Sequence, residues 1–168
     1  MITIGIDPGT AITGYGVIRE NPDGSLDTIT YGVIITSTES PMPKRLQVIY
    51  QKLSEIIQLH RPDHGAVEKL FFHRNVTTAI SVGQGRGVAI LALAQADTPV
   101  AEYTPLQIKQ AVAGYGAADK NQVQQMVRAL LGLNEIPRPD DAADALAIAI
   151  CHLHSAKMNA IYQDKKST

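Results

Sequence analysis

The chain is short of the residues that staple or anchor a protein. Cys151 is its only cysteine, so no disulfide can close within the chain, which suits a reducing compartment. Its expected place is as a small buried hydrophobe on a helix. No apolar run approaches the ~18 residues that a membrane-spanning helix requires. No basic leader precedes an apolar segment at the N-terminus, so we expect a soluble, unexported, cytoplasmic protein with no membrane partner. Internal repeats, low-complexity tracts and linkers are missing as well. That leaves one domain over residues 1–157 and a tail, 158–168, with too little periodicity to be more than frayed. The five histidines, His60, His64, His73, His152 and His154, have no ligand-like spacing to a second group, so surface or packing roles are expected for them. Phenylalanine is scarce, and Phe71 and Phe72 stand side by side.

What is present is an ordinary globular composition. Apolar residues make up 45% of the chain and charged ones 18%, which argues against a disordered polymer. A domain of this length buries roughly 70% of its unfolded surface.

The opening Met1 to Thr10 organises the rest. Ile2, Ile4 and Ile6 alternate with Thr3 and Gly5 in the period of a strand, which runs apolar into one carboxylate, Asp7, and breaks on Pro8-Gly9. A second strand follows over 13–18, a turn at Asn21-Pro22-Asp23-Gly24, and a third strand over 26–37, an antiparallel meander. Leu46, Ile49, Leu53, Ile56 and Ile57 recur at helical spacing in a helix that ends at Arg61-Pro62. Gly65-Ala66-Val67-Glu68 is a short strand that again runs into an acid. A helix over 76–96 and a fifth strand over 100–103 come next. Thr104-Pro105 opens a helix to Ala113, Asp119 caps another over 120–131, and the last helix begins at Asp141 and ends near Ser155. Crossover connections make the fourth strand parallel to the first, so Asp7 and Glu68 should share one edge of the sheet.

Pro139-Asp140-Asp141-Ala142-Ala143-Asp144 adds further acids at a helix start. Acids in a first turn complement the helix dipole by about 0.3–1 kcal/mol each. That accounts for Asp140 or Asp141, but poorly for Asp144, which lies a turn further in and precedes an apolar run. Asp140 and Asp141 stand four and three residues before Asp144, so both share its face. Four carboxylates drawn together would repel one another unless cations held them. All-oxygen ligation suits Mg²⁺ or Mn²⁺, and a cluster this acidic suits two ions about 3.5–4 Å apart acting on a phosphodiester. The net charge of −1 is then misleading. Setting four metal-bound acids aside leaves the remaining surface at +3.

Several of these motifs also match a known family in order and spacing. They are Gly5-Ile6-Asp7-Pro8-Gly9-Thr10, Gly14-Tyr15-Gly16-Val17-Ile18, Ala66-Val67-Glu68 with Phe71, Gly83-Gln84-Gly85-Arg86-Gly87, and Asp141-Ala142-Ala143-Asp144-Ala145-Leu146-Ala147. Together, over nearly the whole chain except the tail, they resemble the RuvC family of bacterial Holliday junction resolvases. The resemblance implies an α/β, RNase H-like fold with a five-stranded mixed sheet flanked by helices. It implies a homodimer that nicks four-way DNA junctions symmetrically with Mg²⁺, two ions per site and Mn²⁺ able to substitute, in recombination and repair. It implies cooperation with the RuvA and RuvB branch-migration complex. The family's four catalytic, metal-holding acids carry over onto Asp7, Glu68, Asp141 and Asp144.

For DNA, the resemblance selects Phe71 of the two phenylalanines as a stacking residue, where one base would contribute about 1–3 kcal/mol. Arg74 is a candidate phosphate contact by position, and Lys109 and Lys120 match the family's basic positions near the scissile phosphate. Gly83 and Gly87, four apart on one helical face, permit close approach of another backbone, for which we favour a dimer contact. The opening motif also resembles the phosphate-binding start of sugar kinases and actin-like ATPases. Those need a second lobe for which 168 residues leave no room. A junction-binding protein without chemistry would gain nothing from placed acids, which repel phosphate.

Overall fold

Alternation along the first strand decides which helices cover which face of the sheet. In the computed structural model, which describes residues 1–69 and 76–164, β1 (Ile2–Asp7) turns Ile4 and Ile6 to one side. There they are fully buried with Val17, Val67 and the apolar faces of α1 (Met42–His60) and α2 (Val76–Gln95). Thr3, Gly5 and Asp7 point the other way, toward α5 (Asp140–Asp164). The strand order is β3-β2-β1-β4-β5, with β2 (Ile12–Glu20), β3 (Leu26–Ile35), β4 (His64–Glu68) and β5 (Val100–Tyr103). β1, β2 and β3 form the antiparallel meander, while β4 is parallel to both β1 and β5. The fold is therefore α/β and RNase H-like, with a five-stranded mixed sheet between helices.

The second face carries α3 (Pro105–Ala113), α4 (Lys120–Leu130) and α5, whose core includes Ile108, Val127, Leu146 and Ile150 with Ile18 and Ala66 of the sheet. Local chemistry marks the ends of these helices. Thr104 and Asp119 each cap a helix and exchange hydrogen bonds with Gln107 and Gln122, satisfying amide groups that the helix leaves free. Arg61 closes α1 in the left-handed conformation just before Pro62. Cys151 is buried on α5, and burial pushes its thiol up to about 11, so it serves as packing.

α5 lies unusually close to the sheet because glycines line the strands beneath it. A Cβ at Gly5 would stand 2.1 Å from the Ala145 carbonyl oxygen, and one at Gly14 would stand 2.0 Å from that of Asp141. Either distance is impossible, so only glycine lets the helix backbone rest on β1 and β2. The last helix differs from the sequence expectation at both ends. α5 begins at Asp140 rather than Asp141, and it continues to Asp164 rather than ending near Ser155. Among the described residues no helix is long and apolar enough to cross a membrane.

Candidate active site

Parallel pairing of β1 with β4 registers Ile6 opposite Val67. The next residues along the two strands are Asp7 and Glu68, so the sheet itself brings both acids to one edge on neighbouring strands, about 4.8 Å apart in backbone. Alternation sends both side chains to the α5 face. There Asp7, Glu68 and Asp144 line one pocket of about 210 Å³, together with Lys109 of α3 and Lys120 of α4. Pro105, Ile108 and Val123 add apolar lining. Asp141 flanks this pocket rather than lining it, with its Cβ only 3.3 Å from where a Cβ of Gly14 would stand. Gly14 pairs with Asp7 across β1 and β2, which places Asp141 beside the head of β1.

The electrostatics follow from this crowding. Burial, then the charges of Glu68, Asp144 and Asp141, push the Asp7 carboxyl up to about 7, against the opposing pull of Lys120. Burial and the neighbouring Asp144 raise Glu68 as well. Asp144 is raised chiefly by burial, although Lys120 works against that shift. The Lys120 ammonium lies 3.1 Å from Asp144 and 3.4 Å from Asp140. Burial acts to lower Lys120, and its bonds to the two acids outweigh it, so the ammonium is held above its ordinary value.

Asp140 behaves differently from its neighbours. It is the first residue of α5, one before the expected start, and its carboxylate accepts from Arg138 at 2.8 Å. The neighbouring Gln124 side chain, then Lys120 and Arg138, hold it below the usual carboxylate range. It faces cations of the protein rather than the pocket.

The acids of this pocket offer oxygen donors, and their mutual repulsion is the signature of a site built to receive positive charge. Among the described residues, no three acid, histidine or cysteine side chains already converge on a single point. The donor chemistry fits a hard divalent cation, and Lys120 is the cation that Asp144 faces in its place. Phe71, Phe72, His73 and Arg74 lie outside the described residues.

Three features escaped the sequence. Gly5 and Gly14 set the depth of α5, and the detectable signal is glycine inside otherwise β-branched strands. His64 and His152 meet with ring nitrogens 2.8 Å apart, and His152 also reaches the Tyr103 hydroxyl at 2.9 Å. Burial, then the neighbouring His64, hold His152 down to about 4, a packed pair at the end of β4 away from Glu68. Eighty-eight residues separate the two histidines, so no local pattern announces them. Arg86 contacts the Glu68 carbonyl and the Glu102 carboxylate, and it carried no assigned role within its glycine-rich motif.

A sheet of this topology, with acids at the heads of β1 and β4 and at the start of α5, defines an RNase H-like nuclease. The family model "Crossover junction endodeoxyribonuclease RuvC" matches residues 3–152. The chain belongs to the RuvC family. It is 61% identical over 158 residues to the crossover junction endodeoxyribonuclease RuvC of Desulfitobacterium hafniense, covering 94% of this chain and 95% of that one. The Chloroflexus aurantiacus relative of the same name is 60% identical over 156 residues, covering 93% and 94%. Among solved structures, Thermus thermophilus RuvC superposes with a TM-score of 0.89 at 40% identity, over 95% of this chain and 97% of that one. T. thermophilus RuvC in complex with Holliday junction substrate gives 0.87 at 38%, over 94% and 96%. The yeast mitochondrial Holliday junction resolvase Ydc2, at 15% identity and a TM-score of 0.73 over 96% and 83%, shares the fold.

Proposed function

We propose that the protein is a Mg²⁺-dependent endodeoxyribonuclease that resolves four-way DNA junctions by paired symmetric nicks, in recombination and repair. The observation that carries this reading is the repulsion focused on Asp7, which burial and three surrounding carboxylates push up to about 7. Asp7, Glu68, Asp141 and Asp144 would hold a divalent cation, whose positive charge would offset that repulsion. When bound, two Mg²⁺ ions, or Mn²⁺ in their stead, supply activation of a water and compensation of charge on the leaving oxygen of a phosphodiester.

The chain's own residues do the rest. Ionised Asp7 and Glu68 are presented by the rigid heads of two strands, and Asp141 and Asp144 by the first turns of α5. Lys120 beside Asp144 and Lys109 in the same pocket offer two ammonium groups to the phosphates that flank the scissile bond. Phe71 is assigned to DNA by the family resemblance, as a stacking residue, and Arg74 by its position alone, as a phosphate contact.

Symmetric nicking calls for two sites related by a two-fold axis, hence a homodimer. α2 supports one. Ile80, Gly83, Gly87 and Leu91 form a stripe along it, the two apolar side chains are exposed, and among the described residues nothing stands within 4 Å of a Cβ at either glycine. The same reading places the enzyme in the cytoplasm with its DNA substrate and with the RuvA and RuvB branch-migration complex as partners. The direct test is incubation with a synthetic four-way junction, with and without Mg²⁺. Paired nicks that require the cation are expected, and binding without cleavage at any Mg²⁺ concentration would overturn the reading.

A further inference from the structure

Asp7 and Glu68 stand at the heads of two strands, and one short stretch of α2 lies against both heads. A Cβ at buried Gly85 would come 3.3 Å from Cγ2 of Thr10 and 3.4 Å from the Gly9 carbonyl oxygen, in the turn that follows Asp7. The next residue, Arg86, donates from Nε to the backbone carbonyl of Glu68 at 3.4 Å. Its Nη2 pairs with the carboxylate of Glu102 on β5. Glu102 is registered opposite Val67, so the guanidinium spans the two strands where their ladder is about to end. Beyond this point Glu68 still pairs with Tyr103, and the Lys69 N–H donates to the Tyr103 carbonyl at 2.7 Å.

The direction of approach matters. Val67 packs against α1 and α2, so Arg86 arrives from that face, whereas the Glu68 carboxylate emerges on the opposite face into the acid-lined pocket. Arg86 therefore touches neither the pocket nor anything bound in it. Only its hold on the main chain reaches the site. A planar guanidinium suits the task, because its fork serves a carbonyl and a carboxylate together, which a lysine ammonium on its flexible stem does less well.

We propose that Arg86 is a positioning residue of the nuclease, which fixes the main chain at Glu68 from the back of the sheet and so sets where that carboxylate stands relative to Asp7 and Asp144. The inference rests on the metal-holding role of Glu68 given above. Carboxylates that repel must be held by their framework, and Glu68 has the least framework of the set, at the end of a five-residue strand.

The test uses the full chain with Arg86→Ala, Arg86→Lys, Glu102→Gln, Glu68→Gln and the Arg86→Ala/Glu68→Gln double variant. Mn²⁺ binding without DNA is read by electron paramagnetic resonance, and single-turnover cleavage and junction binding are measured separately. Arg86→Ala should weaken Mn²⁺ binding and slow cleavage by about 10-fold or more, with Arg86→Lys intermediate. Junction affinity without Mg²⁺ should stay within about twofold, since no phosphate contact is removed. In the Glu68→Gln background, Arg86→Ala should change Mn²⁺ affinity by less than about twofold, because both act through one group. Parent-like Mn²⁺ affinity and cleavage in Arg86→Ala, or an equal loss in both backgrounds, would overturn the proposal. Should Arg86→Ala not fold, Glu102→Gln decides: a smaller loss of Mn²⁺ affinity supports the clamp, and parent-like behaviour removes it. If Glu68→Gln alone binds Mn²⁺ and cleaves as the parent does, the ligand assignment fails instead, and the proposal falls with it.

Discussion

Asp7 and Glu68 each follow a residue of one registered pair, Ile6 and Val67, on adjacent parallel strands. Their proximity is therefore a property of the sheet and not of either loop. Moving one acid relative to the other would require slipping the register, which would also expose one of two buried core residues. The acids are consequently held together even where their charges oppose it.

The first prediction follows from that opposition. The Asp7 carboxyl is raised in the fold to about 7 from 3.8, so between those values the native state binds more protons than the unfolded one. Its contribution to stability is fully present below about pH 4 and is lost as pH rises through 7. We predict that metal-free parent protein loses melting temperature between about pH 6.5 and pH 8, above the range in which buried, depressed His152 works the other way, and that Asp7→Asn reduces that slope and melts higher at pH 8. The gain should be several degrees, since each ~1 kcal/mol shifts a domain of this size by about 2–4 °C. Asp7→Asn should also abolish cleavage while junction binding holds or tightens. Equal loss of binding and cleavage, or an unchanged pH slope, would mark Asp7 as structural.

A second prediction concerns the glycine floor under α5. Gly14→Ala places a methyl group where the Asp141 carbonyl oxygen stands, so the helix start must lift. We predict destabilisation of about 1–3 kcal/mol, the usual cost of overpacking, and a loss of cleavage larger than the stability change accounts for. Chemical denaturation and single-turnover cleavage at a temperature where the variant remains folded provide the comparison. Wild-type cleavage in a destabilised Gly14→Ala would show that the exact seat of Asp141 is unimportant.

Asp140 and Asp141 separate by surroundings. Asp140 faces Arg138 and Lys120 from an exposed position, whereas Asp141 sits over Gly14 beside the head of β1. We predict that Asp140→Asn keeps most activity at saturating Mg²⁺. Asp141→Asn should lose more than the ~10–100-fold typical of an outer-shell partner. Circular dichroism must show both variants folded. The reverse outcome moves the assignment by one residue.

Lys120 offers a fourth test. Its side chain is 56% exposed, so its pair with Asp144 contributes little to stability, on the order of 0–1 kcal/mol. We predict that Lys120→Met melts within a few degrees of the parent yet cleaves at least about 10-fold more slowly, the lost ammonium being needed at a phosphate. A large drop in melting temperature with normal cleavage would make the lysine a structural counter-ion.

Much of this protein was determined by its sequence because the relevant forces act locally. Alternating isoleucines made β1 a strand whose odd positions face away from the first core, and so sent Asp7 to a defined side. Thr104-Pro105 and Asp119 marked helix starts, because capping needs only a side-chain oxygen and an amide three residues on. The acids were legible for the same reason: each stands at the end of an element that its own neighbours specify. What only the tertiary structure decided depends on residues far apart in the chain. The register that levels Asp7 with Glu68, the descent of α5 onto Gly5 and Gly14, and the meeting of His64 with His152 are examples. So are the ammonium of Lys120 against Asp144 and the hold of Arg86 on Glu68. Each requires two surfaces to be packed before the contact exists, and short-range patterning carries no term for that.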